Sequence, residues 1–187
     1  VPALARDIQR TQEAAGSEAY CVGGCVRDTL LGRTPGDWDI TTSARPEETL
    51  ALFGADALPT GLRHGTVTVR RPDGSAEVTT FRRDGDYTDH RHPESVAFTD
   101  SLTEDLARRD FTVNAMALSL RGELRDPFHG REDLAAGRIR CVGEPARRFG
   151  EDALRILRGL RFAAVLGFAI EPETAAALSA AREDLRA

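Results

Sequence analysis

The chain predicts a mixed α/β (α+β) fold in which a small mixed sheet is flanked by helices and followed by an all-helical segment. Three observations carry that expectation. Strand-like runs crowd the first half, at residues 19–22, 37–42, 65–70 and 76–81, with helical stretches between them. The strand signals stop at about residue 143. In residues 151–167, Ala153, Ile156, Leu157, Leu160, Ala163 and Ala164 then form a stripe at the i, i+3, i+4, i+7 spacing of a helix face. Two units are expected, residues 1–142 and residues 143–187.

Each element has its own reason. Residues 2–15 read as a helix, with Leu4, Ile8 and Thr11 or Gln12 at helical spacing. Ala19 to Val22 reads as a strand, Gly23 and Gly24 turn the chain, and residues 25–32 read as a helix. In a strand over 37–42, alternate side chains take opposite faces, so Asp37 and Asp39 project together while Trp38 and Ile40 point into the core. A helix follows at 46–53. Gly65 to Arg70 alternates with Val67 and Val69 on one face, and Arg71-Pro-Asp-Gly74 makes a hairpin-type turn. The next strand sets Glu77, Thr79 and Phe81 on one face and Ala76, Val78 and Thr80 on the other. Residues 84–97 are polar, charged and proline-bearing without periodicity, a long loop of the kind that is functional or disordered. Residues 101–115 read as helix, 116–126 as a hairpin, and 171–186 as a further helix.

Composition bounds the function. With 187 residues, 41% of them hydrophobic, the chain can bury a real core in one or two domains. No apolar run approaches the ~18 residues of a membrane span, and no signal peptide is visible. The first residue, Val1, suggests a processed or excerpted chain. Cys21, Cys25 and Cys141 are odd in number and form no C-x-x-C pair, which favours a reducing, cytoplasmic compartment over a disulfide framework or zinc site. His64, His90, His92 and His129 show no ligand spacing. The net charge of −5 does not advertise a nucleic-acid binder. All 25 basic residues are Arg, however, and seven of them fall between Arg138 and Arg161. That stretch suits a phosphate backbone, or is simply a solvated helical face.

Three constellations carry chemistry. Asp37 and Asp39 offer two hard oxygen donors on one face, which suits Mg²⁺ bound through one or two carboxylates plus substrate phosphates. Gly23 and Gly24 form a strand–turn–helix corner that aims backbone N–H groups at an anion, and Arg27 adds a phosphate-directed charge. Glu77 is the third carboxylate if its strand neighbours theirs. Three acids in one site are costly without cations, and two bound metal ions would remove that cost. The plain alternatives are solvent-facing strand residues and an ordinary turn. In Arg108-Arg109-Asp110, a carboxylate beside a guanidinium can grip a ribose hydroxyl and a phosphate, or form an ordinary ion pair. In Glu151-Asp-Ala-Leu-Arg155, Asp152 and Arg155 are i, i+3 neighbours on one helix face. They are either a surface salt bridge or a base reader. An Asp accepting from an exocyclic amine, with an Arg donating to the ring nitrogen, takes cytosine or adenine and refuses guanine and uracil.

Taken in order, G-G-C-V-R-D, D-W-D-I, E-V-T-T-F-R, R-R-D-F-T-V-N-A-M-A, D-P-F-H-G-R-E-D-L and E-D-A-L-R-I-L-R-G-L-R-F resemble the class II, bacterial-type CCA-adding enzymes and poly(A) polymerases. These belong to the DNA polymerase β-like nucleotidyltransferases. The resemblance covers nearly the whole chain. It implies a nucleotidyltransferase head over 1–142 and the start of a helical neck over 143–187. It further implies Mg²⁺-dependent addition of C, C and A to tRNA 3′ ends from CTP and ATP. Asp37, Asp39 and Glu77 would be metal ligands. Gly23, Gly24, Arg27 and Asp28 would surround the triphosphate, and Arg109, Asp110 and Asn114 would contact ribose and phosphate. Glu151, Asp152 and Arg155 match the nucleotide-selecting motif, with Arg158 as a phosphate contact. Asp126, Gly130 and Asp133 match the motif that joins head and neck.

Within the family, Gly61-Leu-Arg-His-Gly65 looks CCA-like where poly(A) polymerases carry a basic segment, and residues 84–97 look like an intact flexible loop. An A-adding or poly(A)-type enzyme is the alternative, as is a non-catalytic nucleotide- or RNA-binding module. A small-molecule nucleotidyltransferase with the same head is a further rival, against which the Arg cluster and the nucleotide-selecting helix weigh. Family members continue beyond this point with body and tail helices that hold the tRNA.

Overall fold

The computed structural model describes residues 1–85 and 96–182. Helix α1 (Ala3–Ala14) buries Leu4, Ala5 and Ile8 in the core. Strand β1 (Ala19–Val22) runs through Gly23 into α2 (Gly24–Leu30). Strand β2 (Asp39–Thr42) leads to α3 (Pro46–Phe53), which starts with Pro46 at its first position and Glu47 and Glu48 in its first turn, all favourable at a helix N-terminus. Strands β3 (Ala57–Gly61), β4 (Thr66–Arg71) and β5 (Gly74–Thr80) follow. Strands β6 (Arg82–Asp84) and β7 (Val96–Phe98) pair as a separate ribbon. Next come α4 (Leu102–Ala107), β8 (Ala117–Ser119), β9 (Leu124–Arg125), α5 (Gly130–Ala135) and β10 (Arg138–Ile139). The chain continues through α6 (Pro145–Glu151), α7 (Leu154–Leu166), β11 (Ala169–Ile170) and α8 (Pro172–Ala180).

The central sheet has seven strands in the order β3-β4-β5-β2-β1-β8-β9. Within this sheet, among the described residues, β2 and β5 are the one parallel pair, with Asp39 in register with Glu77. The alternation expected of β4 holds, since Val67 and Val69 are fully buried beneath exposed or half-buried neighbours. On β5, Ala76, Val78 and Thr80 face inward and Glu77 is exposed. The main core joins this sheet face to α1, α2 and α3 and continues through Phe111, Met116, Phe149 and Ile156.

The structure departs from the sequence expectations in several places, among them strand β3 and the β6–β7 ribbon, which were not expected. Strand β2 begins at Asp39, so Asp37 sits in the preceding loop rather than on the pleat. The helix expected over 101–115 ends at Ala107. There the Asp110 carboxylate accepts the Phe111 N–H at 2.8 Å, a local bond that competes with helix continuation, and Phe111 is extended and bridges to Cys141. The stretch 151–167 is broken at Asp152, which has extended backbone (φ −144°) and accepts the Leu154 N–H at 2.9 Å to start α7. The buried face of α7 is Arg155, Ile156, Gly159 and Leu166, while Leu157 and Leu160 are 50% and 47% exposed. The segment after residue 143 is also not purely helical, because β11 pairs in parallel with β10.

Residues 86–95, most of the expected 84–97 loop, lie outside the described residues, as do His90 and His92. Among the described residues no helix is long and apolar enough to cross a membrane. The three cysteines are free and buried. Asp126 accepts the N–H groups of Gly130 and Arg131 at the start of α5, and buried Asp133 accepts from Thr112 Oγ1 at 2.6 Å and Arg140 Nε at 2.8 Å. This knits α5 to the segment around Thr112 and to the residue just after β10.

Candidate active site

A cleft of about 600 Å³ opens where the β1–α2 turn, the start of β2, the segment after α4 and the start of α7 meet. Gly23 and Gly24 form its floor. Gly23 has φ +80°, a backbone that favours glycine, and a Cβ there would stand 3.1 Å from Arg109 Nη1 and push that guanidinium aside. Arg27 lines the cleft and donates Nη1 to Asn114 Oδ1 at 2.8 Å and Nε to Asp28 at 2.9 Å. Asp28 itself does not line the cleft; it braces Arg27.

Asp37 and Asp39 both enter the cleft. Burial pushes the Asp39 carboxyl above its ordinary value and the charge of Asp37 pushes it further; Arg109 opposes this and Glu77 adds to it. Two oxygen donors held together against that cost fit a divalent cation that also takes phosphate oxygens. Glu77 is exposed on the neighbouring strand and contributes charge, but it is not part of the cleft wall. Among the described residues no group of three or more acidic, His or Cys side chains is placed to hold one ion. The structure thus brings Asp37 and Asp39 together and leaves Glu77 beside them.

Arg109, Asp110 and Asn114 line the opposite wall. Asp110 and Asn114 are buried, and Asp110 Oδ2 accepts from Arg158 Nε at 2.6 Å. Burial lowers the Arg109 guanidinium; Asp105, Asp39 and Asp110 hold it up, while Arg108 lowers it further. Arg109 Nε is buried with no hydrogen-bond partner among the described residues.

The third wall comes from α7 and the break before it. Asp152, Arg155 and Arg158 line the cleft. Arg155 donates to Glu151 at 2.7 Å and to the carbonyls of Arg148 and Arg108 at 3.2 and 3.3 Å. The pair that the sequence spacing put on one helix face, Asp152 with Arg155, is therefore replaced by Glu151 with Arg155, because Asp152 lies outside the helix. Glu151 lines an adjoining cavity of about 670 Å³ rather than the cleft, and it also binds Arg147 at 3.1 Å and Arg148 at 2.9 Å.

Several cleft residues were not singled out from sequence as binding groups: His64, Arg82, Asp84, Leu154 and Phe162. Phe162 carries the guanidinium groups of Arg27 and Arg158 over its ring at 5.3 and 5.5 Å and meets Phe111 edge-on at 5.9 Å. The i, i+4 spacing of Arg158 and Phe162 was a visible signal for this one. Buried Asp105, at i−3 and i−4 from Arg108 and Arg109, was another visible pairing.

A small mixed sheet that presents two carboxylates beside a glycine turn, under an arginine-lined wall, defines a nucleotidyltransferase head, a class that works with divalent metal ions. The chain belongs to the Poly A polymerase head domain family, whose model matches residues 19–140. It is 50% identical over 182 residues to the CCA-adding enzyme of Oceanobacillus iheyensis, covering 97% of this chain and 45% of that one. To the CCA-adding enzyme of Geobacillus stearothermophilus it is 54% identical over 163 residues, covering 87% of this chain and 40% of that one. A crystal structure of the Bacillus stearothermophilus CCA-adding enzyme in complex with CTP superposes with a TM-score of 0.85 at 48% identity, over 92% of this chain and 41% of that one. A tRNA nucleotidyltransferase complexed with a primer tRNA and an incoming ATP analog gives a TM-score of 0.75 at 35% identity, over 94% of this chain and 50% of that one. The chain thus spans about half the length of the relatives it matches, or less.

Proposed function

We propose that this chain carries the catalytic head of a CCA-adding tRNA nucleotidyltransferase. In this reading the tRNA 3′-hydroxyl attacks the α-phosphate of CTP, twice, and then of ATP, and pyrophosphate leaves each time. The observation that carries it is the convergence of Asp37, Asp39, Arg109 and Arg155 on one cleft from separate segments. Similar proteins captured with CTP, and with a primer tRNA and an ATP analog, support the choice of substrates.

Asp37 and Asp39 would hold Mg²⁺, which when bound neutralises phosphate charge and activates a hydroxyl. Glu77 adds negative field from the next strand. The Gly23–Gly24 turn leaves room for the triphosphate, and Arg27 and Arg109 bind its oxygens. Asp110 and Asn114 serve ribose and phosphate, partly by fixing Arg158 and Arg27. Asp152 and Arg155 read the base edge, and Glu151 acts through Arg155 by holding its guanidinium. Arg158 completes the anionic contacts. With no nucleophilic side chain paired to a base among the described cleft residues, positioning and charge neutralisation carry the rate.

Residues 1–142 make the head and residues 143–187 begin a helical neck, a division supported by the extent of the family match. Three unpaired thiols suit the reducing conditions of the cytoplasm.

The test is incorporation of each labelled nucleotide into tRNA lacking its terminal CCA, with Mg²⁺, beside an Asp39→Ala control. Ordered addition of C, C and A that the control loses supports the reading. Repeated A alone would make the chain a poly(A)-type enzyme. Tight CTP binding without transfer, even with tRNA-binding helices supplied, would make it a binding module.

A further inference from the structure

Asp105 lies on α4, outside the cleft wall, yet its carboxylate touches three of the segments that build the cleft. It is fully buried. Oδ2 accepts from Thr41 Oγ1 at 2.9 Å, two residues along β2 from Asp39. Oδ1 accepts the backbone N–H of Arg82 at 3.2 Å and Nε of Arg108 at 2.9 Å. A buried charge is retained only where such partners offset its desolvation. Burial pushes the Asp105 carboxyl up, but Arg108, Arg109 and the hydroxyl of Thr41 outweigh it and hold the group below the ordinary value.

Its relation to Arg109 is different. Arg109 Nη2 stands 3.8 Å from Oδ2, an ion pair at longer range than the 2.9 Å bond from Arg108. On its other side Arg109 feels Asp39, and its Nε has no hydrogen-bond partner among the described residues. Two carboxylates thus act on one guanidinium, Asp105 from behind the cleft and Asp39 from its wall.

We propose that Asp105 is a positioning residue for nucleotidyl transfer: anchored by Thr41, Arg82 and Arg108, it holds Arg109 back from Asp39 so that the guanidinium meets the triphosphate. This rests on the nucleotidyl-transfer reading above. Without the Asp105 charge, Arg109 collapses onto Asp39, spending on that carboxylate the donors meant for phosphate.

The test is a double-mutant cycle on CTP affinity with Mg²⁺, measured by titration calorimetry on the 187-residue chain. Asp105→Asn and Arg109→Gln each weaken CTP binding by about tenfold or more. The double variant is no weaker than the weaker single one, because Asp105 acts through Arg109. Losses that multiply, or an Asp105→Asn chain that binds CTP normally, overturn the proposal. If Asp105→Asn does not fold, Thr41→Val removes one anchor and keeps every charge. It then weakens CTP binding in the native background and not in Arg109→Gln, and an equal effect in both overturns the proposal. Failure of the unaltered chain to bind CTP overturns the nucleotidyl-transfer reading and the proposal together; multiplying losses with native binding intact overturn the proposal only.

Discussion

Arg158 Nε lies 2.6 Å from Asp110 Oδ2, an ion pair between a half-exposed guanidinium and a buried carboxylate 48 residues apart in sequence. It fastens α7 to the segment after α4, and so sets the width of the cleft between them. The second Asp110 oxygen is already used by the Phe111 N–H, so Arg158 is the partner that turns this carboxylate outward.

Arg158→Ala is expected to keep the fold but lower its melting temperature, because buried Asp110 keeps the Phe111 N–H and loses the cation that offset its burial. CTP affinity is expected to fall by roughly tenfold, since both a cation and the fastening of the cleft are lost. Thermal melting and titration calorimetry on the same preparation separate the two effects.

Asp39→Asn is expected to abolish nucleotide incorporation while making the metal-free chain more stable. Burial and the neighbouring Asp37 charge both disfavour an ionised Asp39, and the amide removes that cost. A rise of about 2 °C or more in melting temperature at neutral pH, in chelator, is the predicted readout. An unchanged or lower melting temperature would contradict it.

Gly130→Ala is expected to destabilise the chain by about 1–3 kcal/mol or more. Its Cβ would stand 2.2 Å from the Thr112 carbonyl oxygen, which is backbone and cannot swing away. Gly150 in α6 is the matched comparison: a Cβ there meets no other described residue within 4 Å, and Gly150→Ala is expected to cost far less than Gly130→Ala. Denaturant unfolding of both variants checks the contrast.

Burial pushes the Glu151 carboxyl up from its ordinary 4.5, but the hydrogen bond from Arg155 and the charge of Arg148 outweigh it and leave it depressed. A depressed carboxylate contributes stability that is fully present above pH 4.5 and is lost as pH falls through the lower folded value. Glu151→Gln is therefore expected to be less stable than the native chain at neutral pH, with the gap closing below pH 4.5. Melting temperatures of both across pH 3 to 7 decide it.

Much of the frame was legible residue by residue. The alternation of Val67 and Val69 marked β4 and its buried face, the helix expected over 46–53 is α3, and Asp-x-Asp beside Gly-Gly marked the side chains that share the cleft. What escaped depended on partners far away in the chain. The apolar stripe on α7 has the right period, yet the neighbours it finds cover Ile156 and Gly159 and leave Leu157 and Leu160 open. Gly159 can sit inside only because it has no side chain: a Cβ there would meet the Phe111 ring at 2.9 Å. The β3 strand and the β6–β7 ribbon carry too little alternation to be seen without the strands they pair with.

The order of motifs, the helix and strand periods, and the residue types fit for phosphate and cation binding were decided by the chain itself, because they depend on neighbours within a few positions. Which charges meet was decided only by the folded molecule. Arg155 takes Glu151 rather than Asp152, Glu77 stands beside the paired aspartates rather than among them, and Asp105 reaches Thr41, Arg82 and Arg108 at once. The reason is physical: a hydrogen bond or ion pair acts over about 3–4 Å. A one-residue break such as that at Asp152, or the register of two parallel strands, therefore decides every such partnership.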